Sequence, residues 1–234
     1  MVLALLGCPI SLKAFGLFYF DLHVHTTRGS SDSSLSSQEL VLEANRIGLD
    51  GVLLTEHSGG WTDEEIENVF CGSSLTIIPG LEVNTDMGHV IVIGMTSHID
   101  GIHKIEFLRR AVDRVGGLLI AAHPFRNFFD QEPNNNNLLF KNMSAPNLSP
   151  IDASKHPLFS YVDFIEVANG SNTDRENEFA LSTASCLGKD GTGGSDAHST
   201  HGIGKCVTQF EREVTDISGL ITELKLGRFY HSTQ

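Results

Sequence analysis

His23 and His25 stand two residues apart at the end of an apolar run that begins near Leu17. That spacing projects both imidazoles to one face of a strand. Similar groups recur at the edges of later apolar runs. His57 closes Thr55-Glu56-His57, Glu82 follows Ile78-Pro79-Gly80-Leu81, His89 opens Val90 to Ile93, and His123 ends Leu118 to Ala122. Asp196 and His198 repeat the two-residue spacing within Gly194-Ser195-Asp196-Ala197-His198. One His at a strand end is ordinarily a surface or hydrogen-bonded residue. Two such pairs with four more imidazole and carboxylate groups call for another account, because packing them together without a cation carries repulsion and desolvation. Divalent metal ions remove that penalty. The donors are N and O without sulfur, which suits Zn, Mn or Fe and a catalytic rather than a structural site. There are more donors than one ion can hold, so two or three ions is the arithmetic reading.

The elements that must position these groups alternate between strand and helix. Phe18-Tyr19-Phe20 running into Asp21-Leu22-His23 reads as a first buried strand. Ser36 with Glu39 forms a capping-box pattern before a helix with Leu40, Val41, Ala44 and Ile47 on one face, stopped by Gly48. Thr62 with Glu65 repeats that pattern. Further strands are expected at 51–55, 75–78, 90–93, 118–122, 162–167, just before Gly193 and at 205–210, with helices around Ile105 to Val115, Asp174 to Leu187 and Ile217 to Leu226. Such βα repetition implies an α/β fold with a mostly parallel sheet, whose strand carboxyl ends converge on one rim. Periodicity fails from Arg126 to about Pro157, where Asn134 to Asn137 lie in a row, so 126–157 is expected to be a loop or lid. With no internal repeat and no second core, residues 1–234 are expected to form a single domain, with 1–17 as a tail.

Composition narrows the function further. The chain has 234 residues, 40% of them hydrophobic, and a formal net charge of -13. Too much of it is apolar for a disordered chain. Its apolar runs are too short and interrupted for a membrane helix. The acidic balance disfavours a long duplex DNA partner, while a small anionic substrate stays open because bound ions can reverse a local field. Cys8, Cys71, Cys186 and Cys206 lack a CxxC pair and read as free thiols. No basic segment precedes the first apolar residues, and Lys13 interrupts them, so a cytoplasmic location without membrane attachment is expected. The pattern carries no expectation about oligomeric state.

Asp21-Leu22-His23-Val24-His25-Thr26, Ser31-Asp32, Thr55-Glu56-His57, Pro79-Gly80-Leu81-Glu82-Val83, Ala122-His123-Pro124 and Gly194-Ser195-Asp196-Ala197-His198 together resemble the PHP family, the polymerase and histidinol phosphatase superfamily of metal-dependent phosphoesterases. The resemblance implies a distorted, seven-stranded β/α barrel with a trinuclear metal site at the carboxyl-end rim. It implies that His23, His25, Glu82 and Asp196 hold one ion, and that Glu82 bridges to a second with His123 and His89. Asp32, His57 and His198 would hold a third. Asp32 stands where some family members have His, and Glu56 where Asp is common.

The chemistry so implied is hydrolysis of a phosphoester in a small phosphorylated metabolite or nucleotide by a metal-activated water, with Glu82 at its centre. Arg126, three residues past His123, is expected to act in catalysis and in holding phosphate. Arg28 is a second candidate for phosphate. The alternatives are an exonuclease acting on short oligonucleotide ends, or a non-catalytic PHP-type binding or regulatory domain. An amidohydrolase-type reaction is disfavoured, because no strand-end Lys is placed for the carbamylated Lys those enzymes commonly use.

Overall fold

The computed structural model describes residues 16–130, 136–140 and 148–233. The expected tail as far as residue 15, with Cys8, lies outside the described residues. β1 (Phe18–Val24) is followed by α1 (Ser37–Ile47), β2 (Gly51–Glu56), α2 (Asp63–Phe70), β3 (Thr76–Thr85) and β4 (Gly88–Ile93). Next come α3 (Ile105–Arg114), β5 (Leu118–Ala121), the short α4 (Pro150–Ala153) and a 3-10 turn at Pro157–Ser160. β6 (Phe164–Asn169), α5 (Asp174–Leu187), β7 (Gly191–Gly194), β8 (Cys206–Phe210), α6 (Ile217–Lys225) and β9 (Phe229–Thr233) complete the order. No helix among the described residues is long and apolar enough to cross a membrane.

The helix starts follow from their capping residues. Ser36 accepts the Glu39 N–H while Glu39 accepts the Ser36 N–H, and Thr62 with Glu65 does the same for α2. Thr173 with Glu176 caps α5. Each such cap satisfies two N–H groups that a helix start otherwise leaves open. Gly48 ends α1 at φ 82°, a left-handed conformation that glycine adopts without a Cβ clash.

The sheet has nine strands in the order β7-β6-β5-β4-β3-β2-β1-β8-β9, not the seven expected. Nor is it mostly parallel. β1, β2 and β3 run parallel, as do β5, β6 and β7. β4 is antiparallel to both β3 and β5, and β8 is antiparallel to β1 and β9. The cause at β4 is a tight hairpin. Gly88 takes φ 101° and Thr85 Oγ1 donates to the Gly88 carbonyl, which turns the chain back on β3. β3 continues through Glu82, which the expected strand ending at Ile78 left outside.

The sheet curls until its two halves meet. Beyond β7, Ala197 bridges Val24 in parallel: His25 N donates to Ala197 O and Ala197 N to His23 O. Thr208 Oγ1 accepts the Gly193 N–H, and Asp21 accepts those of Ser195 and Gly204. Phe20, Leu22, Leu53, Ile78, Ile91, Ile120, Phe164 and Phe210 fill the resulting barrel-like interior, with Leu220 and Leu224 of α6. Each fully buried side chain of this size contributes about 1.5–3 kcal/mol, against about 0.5–1.5 kcal/mol net for a hydrogen bond. Filling the interior therefore drives closure, and the seam bonds set its register. α1 and α2 cover β1 and β2 through Leu40, Ala44 and Phe70. α3 and α5 cover β4 to β6 through Leu108, Val112, Ala180 and Ala184.

The described part of 126–157 is packed. Phe128, Phe140 and Ala153 join Phe125, Leu158 and Phe159 in the outer core. Asn137 Nδ2 donates to the carbonyls of Pro124 and Arg126 and its Oδ1 accepts the N–H groups of Leu139 and Phe140. Aromatics at irregular intervals have no helical or strand period, so patterning does not reveal them.

Candidate metal centre

Strand direction explains how the donors meet. β1, β2 and β5 bring His23, His25, His57 and His123 to the barrel rim at or just beyond their carboxyl ends. β4 runs the other way, so His89 reaches that rim from the strand's amino end. Asp196 and His198 arrive on the turn after β7, aligned by the Val24–Ala197 bridge. His123 and Asp196 have φ of 30° and 53°. Non-glycine residues rarely adopt such angles, and where they do the strain is characteristically held at functional sites.

Eight of the nine donors expected from the sequence fall into three overlapping groups: His23, His25, Glu82 and Asp196; Glu82, His89 and His123; His25, His57 and His198. Asp32, exposed in the turn before α1, borders the third group: its Oδ2 lies 3.5 Å from His57 Nε2 and 3.4 Å from His198 Nε2. Glu82 faces two ways. Its Oε2 lies 3.3 Å from both His23 Nε2 and His25 Nε2, while its Oε1 lies 2.8 Å from His89 Nδ1 and 2.9 Å from His123 Nε2. Asp196 Oδ1 is 3.4 Å from His23 Nε2 and 3.2 Å from His25 Nε2.

These spacings test whether ions fit. The Nε2 atoms of His23 and His25 are buried and have no hydrogen-bond partner among the described residues. Donors held at about 2.0–2.2 Å around one tetrahedral ion stand about 3.3–3.6 Å apart. The contacts around His23 and His25 match that edge length. The residues fit metal ions.

Charge points the same way. Burial alone would lower His23 and His25. The carboxylates of Asp196, Glu166 and Glu82 outweigh it at His23 and raise that group well above the usual imidazole range. Asp196 and Glu82 also raise His25. Burial would conversely raise Glu82 and Asp196, yet the surrounding imidazoles, His23 foremost, hold both well below the usual carboxylate range. Without another cation the cluster retains protons to balance its carboxylates. Burial lowers His57 and His123, favouring the neutral form that can ligate.

Three buried carboxylates support the imidazoles from behind, and the sequence reading had no role for two of them. Glu166 Oε1 lies 2.9 Å from His23 Nδ1, and its Oε2 accepts the His123 N–H at 2.7 Å and Asn169 Nδ2 at 2.9 Å. Asp21, pushed up to about 6 by burial, pins the turn that carries Asp196. Both stand alone in apolar strands, which was the available signal. Glu56 accepts from Ser30 Oγ at 2.7 Å and from Trp61 Nε1, and Ser30 Oγ in turn lies 3.1 Å from His25 Nδ1.

The two arginines part company. Arg126 Nη2 lies 2.6 Å from Asp196 Oδ2 and also donates to Asn169, while its Nε donates to Asn172. Arg126 lines a pocket beside His89 and His123, walled by Asn127, Leu138 and Leu139. Arg28 is held elsewhere. Its guanidinium donates to Gly59 and Gly60 carbonyls and to both Glu65 oxygens, and lies 5.2 Å over Trp61. The Glu65 that caps α2 pairs with it there.

Residues 174–229 match a family model described as PHP-associated. No curated protein matches the chain by sequence. Among solved structures, PsfC from Pseudomonas syringae PB-5123 aligns with a TM-score of 0.64 at 21% identity, over 94% of this chain and 92% of that one. A two-domain protein from Bacteroides vulgatus containing a predicted PHP-like metal-dependent phosphoesterase aligns at 0.59 and 19% identity, over 93% of this chain and 65% of that one. The lesion-specific endonuclease PfuEndoQ from Pyrococcus furiosus aligns at 0.54 and 15% identity, over 93% and 57%. At these identities the likeness is one of fold. The family-model match is confined to residues 174–229, so it relates that carboxyl-terminal segment to PHP-associated sequences.

Proposed function

We propose that this chain is a metal-dependent phosphoesterase acting on a small phosphorylated molecule, a nucleotide or short oligonucleotide end included. The observation that carries the reading is Glu82, whose two oxygens address two separate imidazole groups while the buried Nε2 atoms of His23 and His25 have no hydrogen-bond partner among the described residues. On this reading His23, His25, Glu82 and Asp196 hold one ion of Zn, Mn or Fe type, and Glu82, His89 and His123 a second. His57 and His198 with Asp32 hold a third at the outer edge. Bound ions would bring the pKa of a coordinated water toward neutrality and offset charge on the phosphoryl oxygens.

The chain's own groups orient the substrate. Arg126 is fixed along one edge by Asn169, Asn172 and Asp196, and among the described residues its Nη1 has no partner, so that it would hold a phosphoryl oxygen in the adjoining pocket. The remainder of the substrate would lie against Asn127, Leu138 and Leu139. The net charge of -13 agrees with a short substrate rather than a long duplex.

The test is metal content by plasma mass spectrometry alongside hydrolysis of phosphomonoesters, on wild type and Glu82→Ala. Two to three equivalents in the wild type, with metal and activity both lost in the variant, are expected. Full activity of Glu82→Ala would refute the site.

A further inference from the structure

Resting on that reading, we propose that Glu166 is a positioning residue that couples the two ion sites sharing Glu82, so that both depend on one carboxylate that touches neither ion. Glu166 is 1% exposed and lies in β6, which pairs with β5, the strand leading to His123. Its Oε1 sits 2.9 Å from His23 Nδ1. A carboxylate accepts there, which keeps the proton on Nδ1 and, with an ion bound, would leave Nε2 to ligate it beside Glu82 and Asp196. Its Oε2 takes the N–H of His123 at 2.7 Å, the residue whose backbone is left-handed at φ 30°. One oxygen therefore sets a ring in the first site, and the other holds the strained backbone that aims a ring into the second.

The network closes on itself. Asn169 Nδ2 donates to Glu166 Oε2 at 2.9 Å, Asn169 Oδ1 accepts Arg126 Nη2 at 2.8 Å, and Arg126 Nη2 reaches Asp196 Oδ2 at 2.6 Å. Asp196 Oδ1 returns to His23 Nε2. Gly194 seals the ring: a Cβ there would come within 2.8 Å of Glu166 Oε1 and 2.6 Å of His23 Cβ. His198 stands outside it, its Nδ1 3.0 Å from the Asp196 main-chain oxygen.

Glu166→Gln tests the coupling at constant shape. With its carbonyl toward His23, its amide nitrogen meets the His123 N–H and the Asn169 amide donor to donor. Reversed, it donates to His23 Nδ1 and moves the proton to Nε2, the atom the ion needs. The experiment loads ion-free wild type and Glu166→Gln with zinc, measures bound zinc at equilibrium, and reads the His23 tautomer by nitrogen-15 imidazole NMR. Wild type should carry its proton on Nδ1. In the variant, zinc at both Glu82-linked sites should weaken about 10–100-fold, and His23 should lose its Nδ1–H signal. Wild-type zinc content with an unchanged tautomer in the variant overturns the coupling, as does loss of one ion alone. Should Glu166→Gln fail to fold, the wild-type tautomer decides, a proton on Nε2 overturning the proposal. Wild type that binds no zinc overturns the metal reading itself, and this inference with it.

Discussion

Arg126 occupies two positions at once in the chemistry of the rim. Its Nη2 neutralises the outer oxygen of Asp196, and its side chain lines the pocket beside His123. A hydrogen bond to a charged group contributes about 1.5–3 kcal/mol, so Arg126→Ala should raise KM for a phosphomonoester on the order of tenfold or more. Folding stability should change much less, because the side chain is partly exposed. Steady-state kinetics with a urea melt separates the two; unchanged KM and kcat would remove Arg126 from the substrate site. Arg28 shows why type and spacing do not fix a role for arginine. Both side chains fall near His-bearing motifs, but the nearest carboxylate decides where a guanidinium goes, and at Arg28 that is Glu65.

At the scale of elements, the legible features were those written in local chemistry. Ser36 with Glu39 and Thr62 with Glu65 announce helix starts because the capping bonds span only three residues. The donor ends of strands were legible because imidazoles and carboxylates interrupt apolar runs. Nonlocal pairing was not. β3 passing through Pro79 and Gly80 beside β2, and β9 beside β8, depend on partners distant in sequence. Glu166 escaped for the same reason, since nothing near it in the chain states that it will face His23. Gly194 is the element-level test. Its added Cβ in Gly194→Ala would meet His23 Cβ at 2.6 Å. Overpacking of this kind typically costs about 1–3 kcal/mol, and chemical denaturation should show that loss, together with reduced metal uptake. A variant as stable as wild type would mean that β7 approaches β1 less closely than described.

For the whole molecule, the metal centre should reverse how stability depends on pH. His23 and His25 are raised in the folded state, so without ions they retain protons that the unfolded chain releases above about pH 6.5. Their contribution is complete below that pH and is lost as pH rises. His57 and His123, lowered by burial, act in the opposite sense only below about 6.5. The Cys206 thiol, pushed up to about 12 by burial, acts only above the ordinary thiol value of about 8.5. Between about pH 6.5 and 8.5 the chelated protein should therefore melt at falling Tm. Manganese-loaded protein should melt at rising Tm, because the ligands must shed protons to bind. Parallel slopes from the two preparations would contradict the assignment of His23 and His25.

The seam between β1 and the turn after β7 would give bound ions a mechanical part as well. His23 and His25 lie on one lip of that seam and Asp196 and His198 on the other, joined by two backbone hydrogen bonds through Ala197. An ion gripped from both lips would work as a clasp. Its residence time would then be bounded by how often the barrel opens along this line, and release of the ion and parting of the lips would be a single kinetic event.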